Sequence, residues 1–404
     1  MIYLGDKLVN LKSATSVLKE KDVNFYDYDG TLLYSYTKAE ALALTSLPIA
    51  PNRTGENLKN EGWNMSVADI TERINKGMFY VSVGCLYHTV DGKTHIIANP
   101  DEARPIIYIR LYGTAANDTK INWGDGSSET SVATSITQYT HTYSQQYYNK
   151  DVDITITSTN GRHFFGGSIT DYTAVESRKN KIKKIFLSAK SRIAGAEIFS
   201  NLCELETITL HSNILQHNKV VNQYTYWFDG CSSLIHLNVP NVVVGRGILR
   251  YCTNIKRASI PKLQSGYYAF LGCFSLDKCE VLFAKGTSTT NNTNSTQMYN
   301  TTPVKRAYID EMVTNTSSIF NACRSLEKAI LPSTCTTINN NIFNSCIRLQ
   351  SVYIKATTPP LLDSALTAPN TFYKIYVPRA SYNDYITASN WADIASHIEP
   401  YDFN

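Results

Sequence analysis

The chain has 404 residues, of which 43% are hydrophobic and 18% are charged, and its formal net charge is +4 at pH 7. These fractions favour a globular chain of roughly two to four domains, and they exclude an intrinsically disordered protein or a membrane protein. The weak net charge, without a long Lys/Arg run, does not indicate a nucleic-acid-binding protein.

The first segment, residues 1–104, is predicted to be a small α+β or β-rich module. It contains an apolar stretch at 78–83 and a predicted helix from Thr37 to Thr45, before Pro48. Its first residues lack the charged start and apolar stretch of a secretory signal, and no part of the chain approaches the roughly 20 apolar residues that span a bilayer. We therefore do not expect the chain as given to be exported by the general secretory route or to insert into a membrane.

An acidic motif, Phe-Tyr-Asp-Tyr-Asp-Gly-Thr-Leu, lies in this module at Phe25–Leu32. It resembles the first motif of haloacid-dehalogenase-type phosphotransferases, which implies Asp27 as nucleophile, Asp29 as general acid and a Mg²⁺ ion. Such an enzyme also needs a buried parallel strand before the first Asp, and Lys21–Asn24 is too polar to predict one. No Asp-Asp or Gly-Asp-x-x-x-Asp pair follows in the first 180 residues, and the nearest approach is Asp125 with Glu129. A surface turn at Asp29–Gly30 is the favoured interpretation, and a phosphatase is the less favoured one.

The second segment, residues 105–165, is predicted to be all-β. Ile106–Leu111 predicts one strand, and Asp151–Thr157 alternates in the manner of a half-buried strand. Between them, a Trp-Gly-Asp-Gly turn at 123–126 is followed by His-Thr-Tyr at 141–143. This combination resembles the PKD family of immunoglobulin-like β-sandwiches, which implies a sandwich with Trp123 in its core.

The turn of this segment has an interpretation that needs no ligand. Gly124 and Gly126 supply the tight turn, and Asp125 can hydrogen-bond the local backbone. A calcium site at Asp125 is the weaker alternative, because one carboxylate is a poor set of cation ligands. We expect neither a metal ion nor a cofactor.

Residues 181–355 repeat, and each repeat is marked by a cysteine. An apolar residue stands three positions before the cysteine in five repeats and four positions before it in the first repeat. The six cysteines are Cys203, Cys231, Cys252, Cys273, Cys323 and Cys346. Apolar triplets after them predict one short strand per repeat: Leu205/Ile208/Leu210, Leu234/Leu237/Val239, Ile255/Ala258/Ile260, Leu276/Cys279/Val281, Leu326/Ala329/Leu331 and Leu349/Val352/Ile354.

The cysteines follow one another at intervals of 21 to 28 residues, except for a gap of 50 residues before Cys323. That gap has room for one degenerate repeat with a strand at Val304–Ile309. A period near 21 to 23 with one strand per repeat is typical of leucine-rich-repeat solenoids. The pattern resembles the BspA-like leucine-rich repeats of bacterial surface proteins, which implies a C-terminal solenoid of about seven coils.

The chain has nine cysteines, and their placement favours packing over chemistry. No Cys-x-x-Cys pair occurs and the histidines do not cluster near cysteines, so a zinc site is not predicted. Neighbouring coils lie about 4.8 Å apart, which keeps Cβ atoms farther apart than the roughly 3.8 Å that a disulfide prefers. We therefore predict a ladder of buried, reduced cysteines.

Two segments differ from the repeats. Residues 286–303 are rich in Thr and Asn and are predicted to form an exposed loop, either a contact loop or a tolerated insertion. Residues 356–404 predict a strand at Lys374–Pro378 and a helix near Ser381–Ser389, followed by Trp391. This last segment is predicted to close the open end of the solenoid, and it resembles the ending of BspA-like proteins.

Candidate binding residues come from the predicted outward face of the strands, from the Thr/Asn loop and from the abundant tyrosines. Tyrosine has an apolar face and a polar tip that suit carbohydrate or protein contact, although sheet packing explains most of the 27 tyrosines as well. The outward residues are mixed in charge, so no single-sign ligand is predicted. The candidates are Tyr224, Tyr226, His236, Lys256, Arg257, Lys278, Lys328, Tyr353, Asn292 and Asn294.

Taken together, the sequence predicts a non-catalytic, adhesin-like binding protein. The acidic stretch, continued to Gly62–Ser66, resembles the N-terminal module that precedes such repeats in proteins of gut bacteria and their phages. This resemblance implies a phage tail or virion component, with an attaching N-terminal module, a spacing sandwich and repeats that contact a host glycan or protein. A secreted bacterial surface adhesin is the alternative. We expect a homo-oligomer in either setting.

Overall fold

The computed structural model describes residues 2–4, 7–9, 18–112, 119–131, 136–158, 163–166, 180–194, 198–214, 226–240, 247–263, 268–276, 302–308, 319–339, 341–364, 366 and 373–403. Within these ranges, no helix is both long and apolar enough to cross a membrane. The described strands form an N-terminal sheet, two sheets with a common core, and a stack of parallel strands that continues this core.

The N-terminal unit is a four-stranded sheet with two helices on one face. The first elements of the chain are β1 (Ile2–Leu4), β2 (Lys7–Val9), β3 (Val23–Tyr26), β4 (Leu32–Tyr36), α1 (Lys38–Leu42), β5 (Leu58–Trp63), α2 (Val67–Asn75) and β6 (Val81–Thr89). β1 and β2 form a separate hairpin, and the others form a sheet in the order β4-β3-β6-β5. Strand alternation places Phe25 and Val83 on the face that packs against Ile70 of α2. The opposite face is left for another contact.

Both helices of this unit begin with a capping box. Thr37 and Glu40 hydrogen-bond each other's backbone N–H at the start of α1, and Ser66 and Asp69 do the same at the start of α2. The helix predicted from Thr37 to Thr45 is therefore present, with Thr37 as its N-cap, but it is shorter than predicted and ends at Leu42. Helix α2 was not predicted, although the Ser-x-x-Asp pattern before an apolar periodic stretch is a recognised start signal.

Strand β3 contradicts the expectation that Lys21–Asn24 is too polar for a buried strand. β3 is buried along its whole length, lies inside the sheet and pairs in parallel with β6. Its polar residue is accommodated because the Asn24 side chain donates to Lys21 O (2.9 Å) and accepts from Ser35 Oγ (2.7 Å). The turn predicted after it is present, since Asp27 N donates to Thr31 O at 2.9 Å.

The next strands form two sheets whose inner faces share one core. They are β7 (Thr94–Ala98), β8 (Ile106–Tyr112), β9 (Thr119–Asn122), β10 (Ser128–Ser131), β11 (Ile136–Thr142), β12 (Val152–Ser158), β13 (His163–Gly166), β14 (Ile182–Phe186), β15 (Ser191–Ala194) and β16 (Thr207–Thr209). The sheet orders are β10-β9-β12-β7-β14-β16 and β11-β8-β13-β15. Strand β7 lies between β12 and β14, so this sheet starts before the boundary predicted at residue 104. The same sheet runs on into the repeats through β14 and β16.

The Trp-Gly-Asp-Gly turn has the local structure expected from the sequence. Trp123 is buried, and Tyr143 Oη donates to its carbonyl oxygen at 2.6 Å. Asp125 accepts from Ser127 N at 2.9 Å, and its other oxygen lies 2.7 Å from His141 Nε2. Gly124 has φ +81°, and a Cβ there would lie 2.7 Å from a backbone oxygen. Membership of the PKD family stays a prediction.

The repeats form a solenoid of short parallel strands. Its further elements are β17 (His236–Asn238), β18 (Arg257–Ser259), β19 (Arg306–Tyr308), β20 (Lys328–Leu331), β21 (Thr337–Ile338), β22 (Ser351–Ile354), β23 (Leu361–Leu362), β24 (Lys374–Pro378), α3 (Tyr382–Thr387) and β25 (Ile398–Tyr401). β17 pairs with β18, and β19-β20-β22-β24-β25 form one parallel sheet. The strands predicted at β19 and β24 are confirmed. The C-terminal segment extends the sheet by two strands, and its closing role stays a prediction.

Five cysteines of the solenoid form the predicted buried ladder. Cys231, Cys252, Cys273, Cys323 and Cys346 are all 0% exposed. The thiol of a ladder cysteine donates to a carbonyl oxygen of the preceding coil, as in Cys252 to Phe228 O at 2.9 Å. Burial raises the pKa of the Cys252 thiol well above its usual value. These side chains therefore act as small apolar residues that also join neighbouring coils.

The first cysteine of the series, Cys203, does not belong to the ladder. Phe199 stacks on Phe228 of the next coil at 5.5 Å, and Leu202, three residues after Phe199, takes the position that a cysteine holds in that coil. Cys203 is one residue further on and is only half-buried. The longer spacing between Phe199 and Cys203 in the sequence was the signal of this displacement.

Each described coil turns at a residue with positive φ. This residue directly precedes the ladder position, and its φ lies between 58° and 75°. The residues are Asn201, Gly230, Tyr251, Gly272, Ala322 and Ser345. Only two are glycine, so no sequence signal marks this turn. The other four accept a backbone conformation that costs L-residues roughly 1–2 kcal/mol.

Candidate binding surfaces on the solenoid

The N-terminal unit covers the outward face of the first coils. The Asn238 amide on β17 donates to Asp27 O (3.1 Å) and Cys85 O (3.2 Å) of the N-terminal sheet. In the other direction, Asn64 Nδ2 lies 3.0 Å from Ser259 Oγ on β18. The second face of the N-terminal sheet thus packs on the polar strand face of the solenoid, and side-chain amides satisfy the backbone groups between them.

Ion pairs surround this contact. Arg257 Nη2 lies 2.9 Å from Glu20 Oε1, and Lys262 Nζ lies 2.7 Å from Asp69 Oδ1. Burial acts to raise the pKa of the Asp69 carboxyl, but hydrogen bonds from Lys262 and Ser66 outweigh it and lower that pKa to about 2. These carboxylates and cations therefore stabilise the docked position of the N-terminal unit.

The approach of the two sheets is close because glycines stand at the crossing points. A Cβ on Gly84 of β6 would lie 2.2 Å from Cγ of Asn238. Gly30, with φ +87°, lies against His236 in the same way. His236 is 2% exposed, and burial lowers its pKa to about 4, against a smaller opposing effect of its hydrogen bond to Asn238. The ring is therefore neutral at pH 7.

Farther along the solenoid, the outward face carries half-exposed cations and rings. The pairing of strands β19, β20, β22 and β24 places one residue of each strand in a common row. This row consists of Arg306, Lys328, Ser351 and Lys374. The neighbouring row on the same face contains Ile330, Tyr353 and Tyr376. We call Arg306, Lys328, Tyr353, Tyr376 and Tyr401 the open strip.

The rings of the open strip pack on one another. Tyr353 and Tyr376 stack with ring centroids 4.7 Å apart, and Tyr401 meets Tyr353 edge-on at 5.1 Å. The ammonium group of Lys328 lies 4.3 Å from the Tyr353 centroid and 5.0 Å from that of Phe79 in the N-terminal unit. The strip therefore has fixed ring positions, with a cation held over the first ring.

The cations of the strip are not neutralised by the part of the protein that the structure describes. Within it, neither Arg306 nor Lys328 forms an ion pair, whereas Lys374 lies 2.8 Å from Glu399. Partial burial, and then the charge of Arg306, lower the pKa of the Lys328 ammonium. The arrangement has a positive potential and can accept an anionic group.

A groove lies on the turn edge of the first coils. Its centre is Arg250, which binds both oxygens of Asp229 at 3.0 and 2.5 Å, while its guanidinium carbon lies 4.6 Å from the Tyr226 centroid. The ring of Tyr251, 48% exposed, forms one side. The lining residues are Asn201, Cys203, Asp229, Gly230, Ser232, Arg250 and Tyr251. Because arginine and aspartate satisfy each other, the groove suits a neutral polar ligand better than an ion.

Comparison with known proteins decides the nature of the solenoid. A family model described as BspA type leucine-rich repeat region matches residues 177–286 and 251–371, with six copies of the repeat. Residues 177–371 are a BspA-type leucine-rich repeat region. A solved leucine-rich repeat protein from Bacteroides ovatus is similar at 15% identity and a TM-score of 0.33, over 55% of this chain and 66% of that one. The curated proteins give no match.

The structure places the predicted binding residues in different surroundings. Lys328 and Tyr353 are brought together in the open strip, and Lys256 is exposed directly before β18. Tyr226 lies 8% exposed beneath Arg250. Tyr224, Lys278, Asn292 and Asn294 lie outside the described residues.

Two of the predicted residues do not face an external partner. His236 is buried against the N-terminal unit, and Arg257 is paired with Glu20 of that unit. The prediction that they form part of an open outward face is wrong, because the chain's own N-terminal sheet occupies that face. Sequence spacing identifies the side of a strand, but it carries no information about a unit that packs there from more than 200 residues away in the chain.

Sequence reasoning missed Tyr401 of the open strip, and it also missed Arg306 and Tyr376. The signal was present, since both align with predicted residues once the strands are placed in register. Arg306 is the partner of Lys328, and Tyr376 is the partner of Tyr353. Tyr376 lies in the C-terminal segment, which was predicted only to close the solenoid.

The acidic motif has the geometry of a structural turn. The Asp27 carboxylate is 1% exposed, and Arg53 Nε donates to it at 2.7 Å. Asp29 is exposed, and its side chain accepts from Thr31 N at 2.9 Å. Among the described residues, no group of three or more His, Cys, Asp or Glu is placed to hold a metal ion. The carboxylate that would be the nucleophile is committed to an arginine.

Proposed function

We propose that this chain is a non-catalytic, adhesin-like binding protein whose open strip contacts a molecule on a cell surface. The observation that carries the proposal is the strip itself, where fixed tyrosine rings lie beside two cations that no described carboxylate neutralises. Aromatic residues and arginine are enriched where protein surfaces bind partners. The BspA-type repeats and the C-terminal segment together form the parallel sheet that holds this surface.

The setting that we propose is a phage tail or virion that contacts its host, with a secreted bacterial surface adhesin as the alternative. In both settings the N-terminal unit attaches the chain to its carrier, and homo-oligomers would multiply weak contacts. The helix face of the N-terminal unit supports this role, because the other face of its sheet is already used by the solenoid.

A cell-binding assay with surface variants tests the binding role. The triple variant Lys328→Gln, Tyr353→Ala, Tyr376→Ala should lose most binding to host cells, measured with the fluorescently labelled protein. The matched control is Lys120→Gln with Tyr148→Ala, which changes the same residue types in the two-sheet unit, β7 to β13, and should bind normally. Equal binding of both variants would exclude the open strip as the contact surface.

Immunodetection separates the two settings. Purified phage particles from the source culture should react with an antibody to this chain if it is a virion component. Reaction of intact bacterial cells without reaction of the particles would favour the surface adhesin.

Catalysis by Asp27 and Asp29 is not part of the proposal, because Asp27 is buried in an ion pair with Arg53. The chain should therefore not hydrolyse p-nitrophenyl phosphate in the presence of Mg²⁺. Turnover that is abolished by Asp27→Asn would restore the phosphatase interpretation.

A further inference from the structure

We propose that the open strip binds an acidic polysaccharide, whose anionic groups pair with Lys328 and Arg306 and whose hydroxyl groups bind the tyrosine hydroxyls. The inference rests on the proposed binding role and specifies the class of ligand. It departs from the expectation of a ligand of no particular charge, because Arg306 and Lys328 form no ion pair among the described residues, whereas Arg257 and Lys374 are paired with carboxylates.

The charge of the strip comes from two adjacent strands. Arg306 on β19 and Lys328 on β20 are register partners, and parallel strands lie about 4.8 Å apart. Like charges at this separation repel each other, and partial burial adds to the cost of the Lys328 charge. A bound anion would relieve both effects, so the site favours a ligand with a negative charge at this position.

The rings of the strip present edges and hydroxyl groups. Tyr353 has Tyr376 on one face and the Lys328 ammonium on the other, at 4.7 and 4.3 Å. A nucleic-acid base could not stack on a face that is already occupied, so single-stranded nucleic acid is disfavoured. Within the described residues, the hydroxyls of Tyr353 and Tyr376 make no hydrogen bond and can both donate and accept. A polysaccharide supplies hydroxyl groups for such contacts.

The cations that would pair with anionic groups and the tyrosines that would bind hydroxyl groups lie in neighbouring rows. The row from Arg306 to Lys374 crosses four strands, a span of about 14 Å at the usual strand spacing. The Ser351 position in this row is uncharged, and Lys374 is paired with Glu399. An extended glycan across the strands would therefore place its anionic group near β19 and β20 and its hydroxyl groups along Tyr353 and Tyr376.

Isothermal titration calorimetry of the full chain tests the inference with matched ligands. The probes are hyaluronan, polygalacturonate and heparin oligosaccharides, together with single-stranded DNA. Each glycan is compared with its neutral form, which is made by carboxyl reduction for the first two and by carboxyl reduction, desulfation and N-acetylation for heparin. At least one acidic glycan should bind at least about tenfold more tightly than its neutral form, and its affinity should fall with added salt.

Single variants assign this binding to the strip. Lys328→Gln and Arg306→Gln should each lower the affinity for the acidic glycan about tenfold, as expected for loss of one charge-assisted contact. Tyr353→Phe keeps the ring stack but removes the hydroxyl group. It should lower the affinity for the acidic glycan and for its neutral form by the same factor. Lys120→Gln is the control lysine and Tyr148→Phe the control tyrosine. Thermal melting of every variant shows that it is folded.

The outcomes separate this inference from the proposed function. Cell binding that needs the strip, combined with no preference for acidic over neutral glycans, would overturn the inference and leave the binding role in place. DNA that binds as tightly as the best glycan would also overturn it. If the unmodified chain binds neither host cells nor acidic glycans, both proposals are overturned.

Discussion

Burial determines the charge state of two histidines at the contact between the N-terminal unit and the solenoid. His236 and His211 are 2% and 1% exposed, and burial lowers the pKa of each to about 4. His211 Nε2 lies 3.0 Å from Ser191 O, and His236 Nε2 lies 2.6 Å from the Asn238 side-chain oxygen. Both rings are neutral in the folded chain at pH 7, whereas an unfolded histidine titrates near about 6.5.

The variant His236→Gln tests this charge state. Because the folded pKa lies below the unfolded value, the unfolded chain binds more protons, and stability is lost as pH falls from about 6.5 towards about 4. Between about pH 7.5 and pH 5 the unmodified chain should lose about 2 kcal/mol more than the variant. Urea unfolding at the two pH values measures this, with His397→Gln as control. Parallel pH profiles for the unmodified chain and His236→Gln would contradict it.

The displacement of Cys203 from the ladder predicts selective thiol chemistry. Cys252 is fully buried and its raised pKa keeps it as a thiol, whereas Cys203 is half-buried at the rim of the turn-edge groove. A maleimide should therefore label Cys203 at least about tenfold faster than Cys252 in the folded chain. Peptide mapping by mass spectrometry measures both rates, and denatured protein gives the reference. Equal labelling in the folded chain would show that the ladder opens.

At the scale of elements, β6 determines how the N-terminal unit docks. Gly84→Ala should force Asn238 away, since its Cγ lies 2.2 Å from the new Cβ, and its amide would lose its bonds to Asp27 O and Cys85 O. The expected destabilisation is about 2 kcal/mol. Hydrogen exchange at β17 and β18 should increase. Gly55→Ala, where nothing lies within 4 Å, is the control and should change neither quantity.

The elements that the sequence predicted are those with local signals. The strands of the repeats follow from apolar triplets at a period near 21, and α1 follows from Thr37 and the proline after it. The positive-φ turns were not predictable, because Tyr251 or Ala322 has no conformational preference that marks such a turn. Lys328 and Tyr353 were predicted because they stand on the outward side of a strand. The docking of Asn64 on Ser259 was not, because it joins residues 195 apart in the chain.

At the scale of the molecule, the two-sheet unit, β7 to β13, and the solenoid share a sheet and cannot be separated at residue 180. β14 pairs with β7 on one side and with β16 on the other. A fragment of residues 181–404 would expose the edge of β14 that β7 covers, and it should aggregate or fail to fold. Residues 90–404 keep that pairing and should be folded and soluble. Circular dichroism and size-exclusion chromatography compare the two; a monomeric, folded 181–404 would show that the units are independent.

The N-terminal unit also limits how the repeat array can evolve. Repeat proteins change length when whole coils are duplicated or lost. Here one unit holds coils far apart in the array, since Tyr87 N donates to Leu210 O at 3.1 Å and Lys355 Nζ donates to Lys76 O at 3.0 Å. One coil added between them would shift the second contact by about 4.8 Å, far beyond hydrogen-bonding distance. Duplication should therefore be tolerated only outside this interval, so the N-terminal unit fixes the number of coils between Leu210 and Lys355.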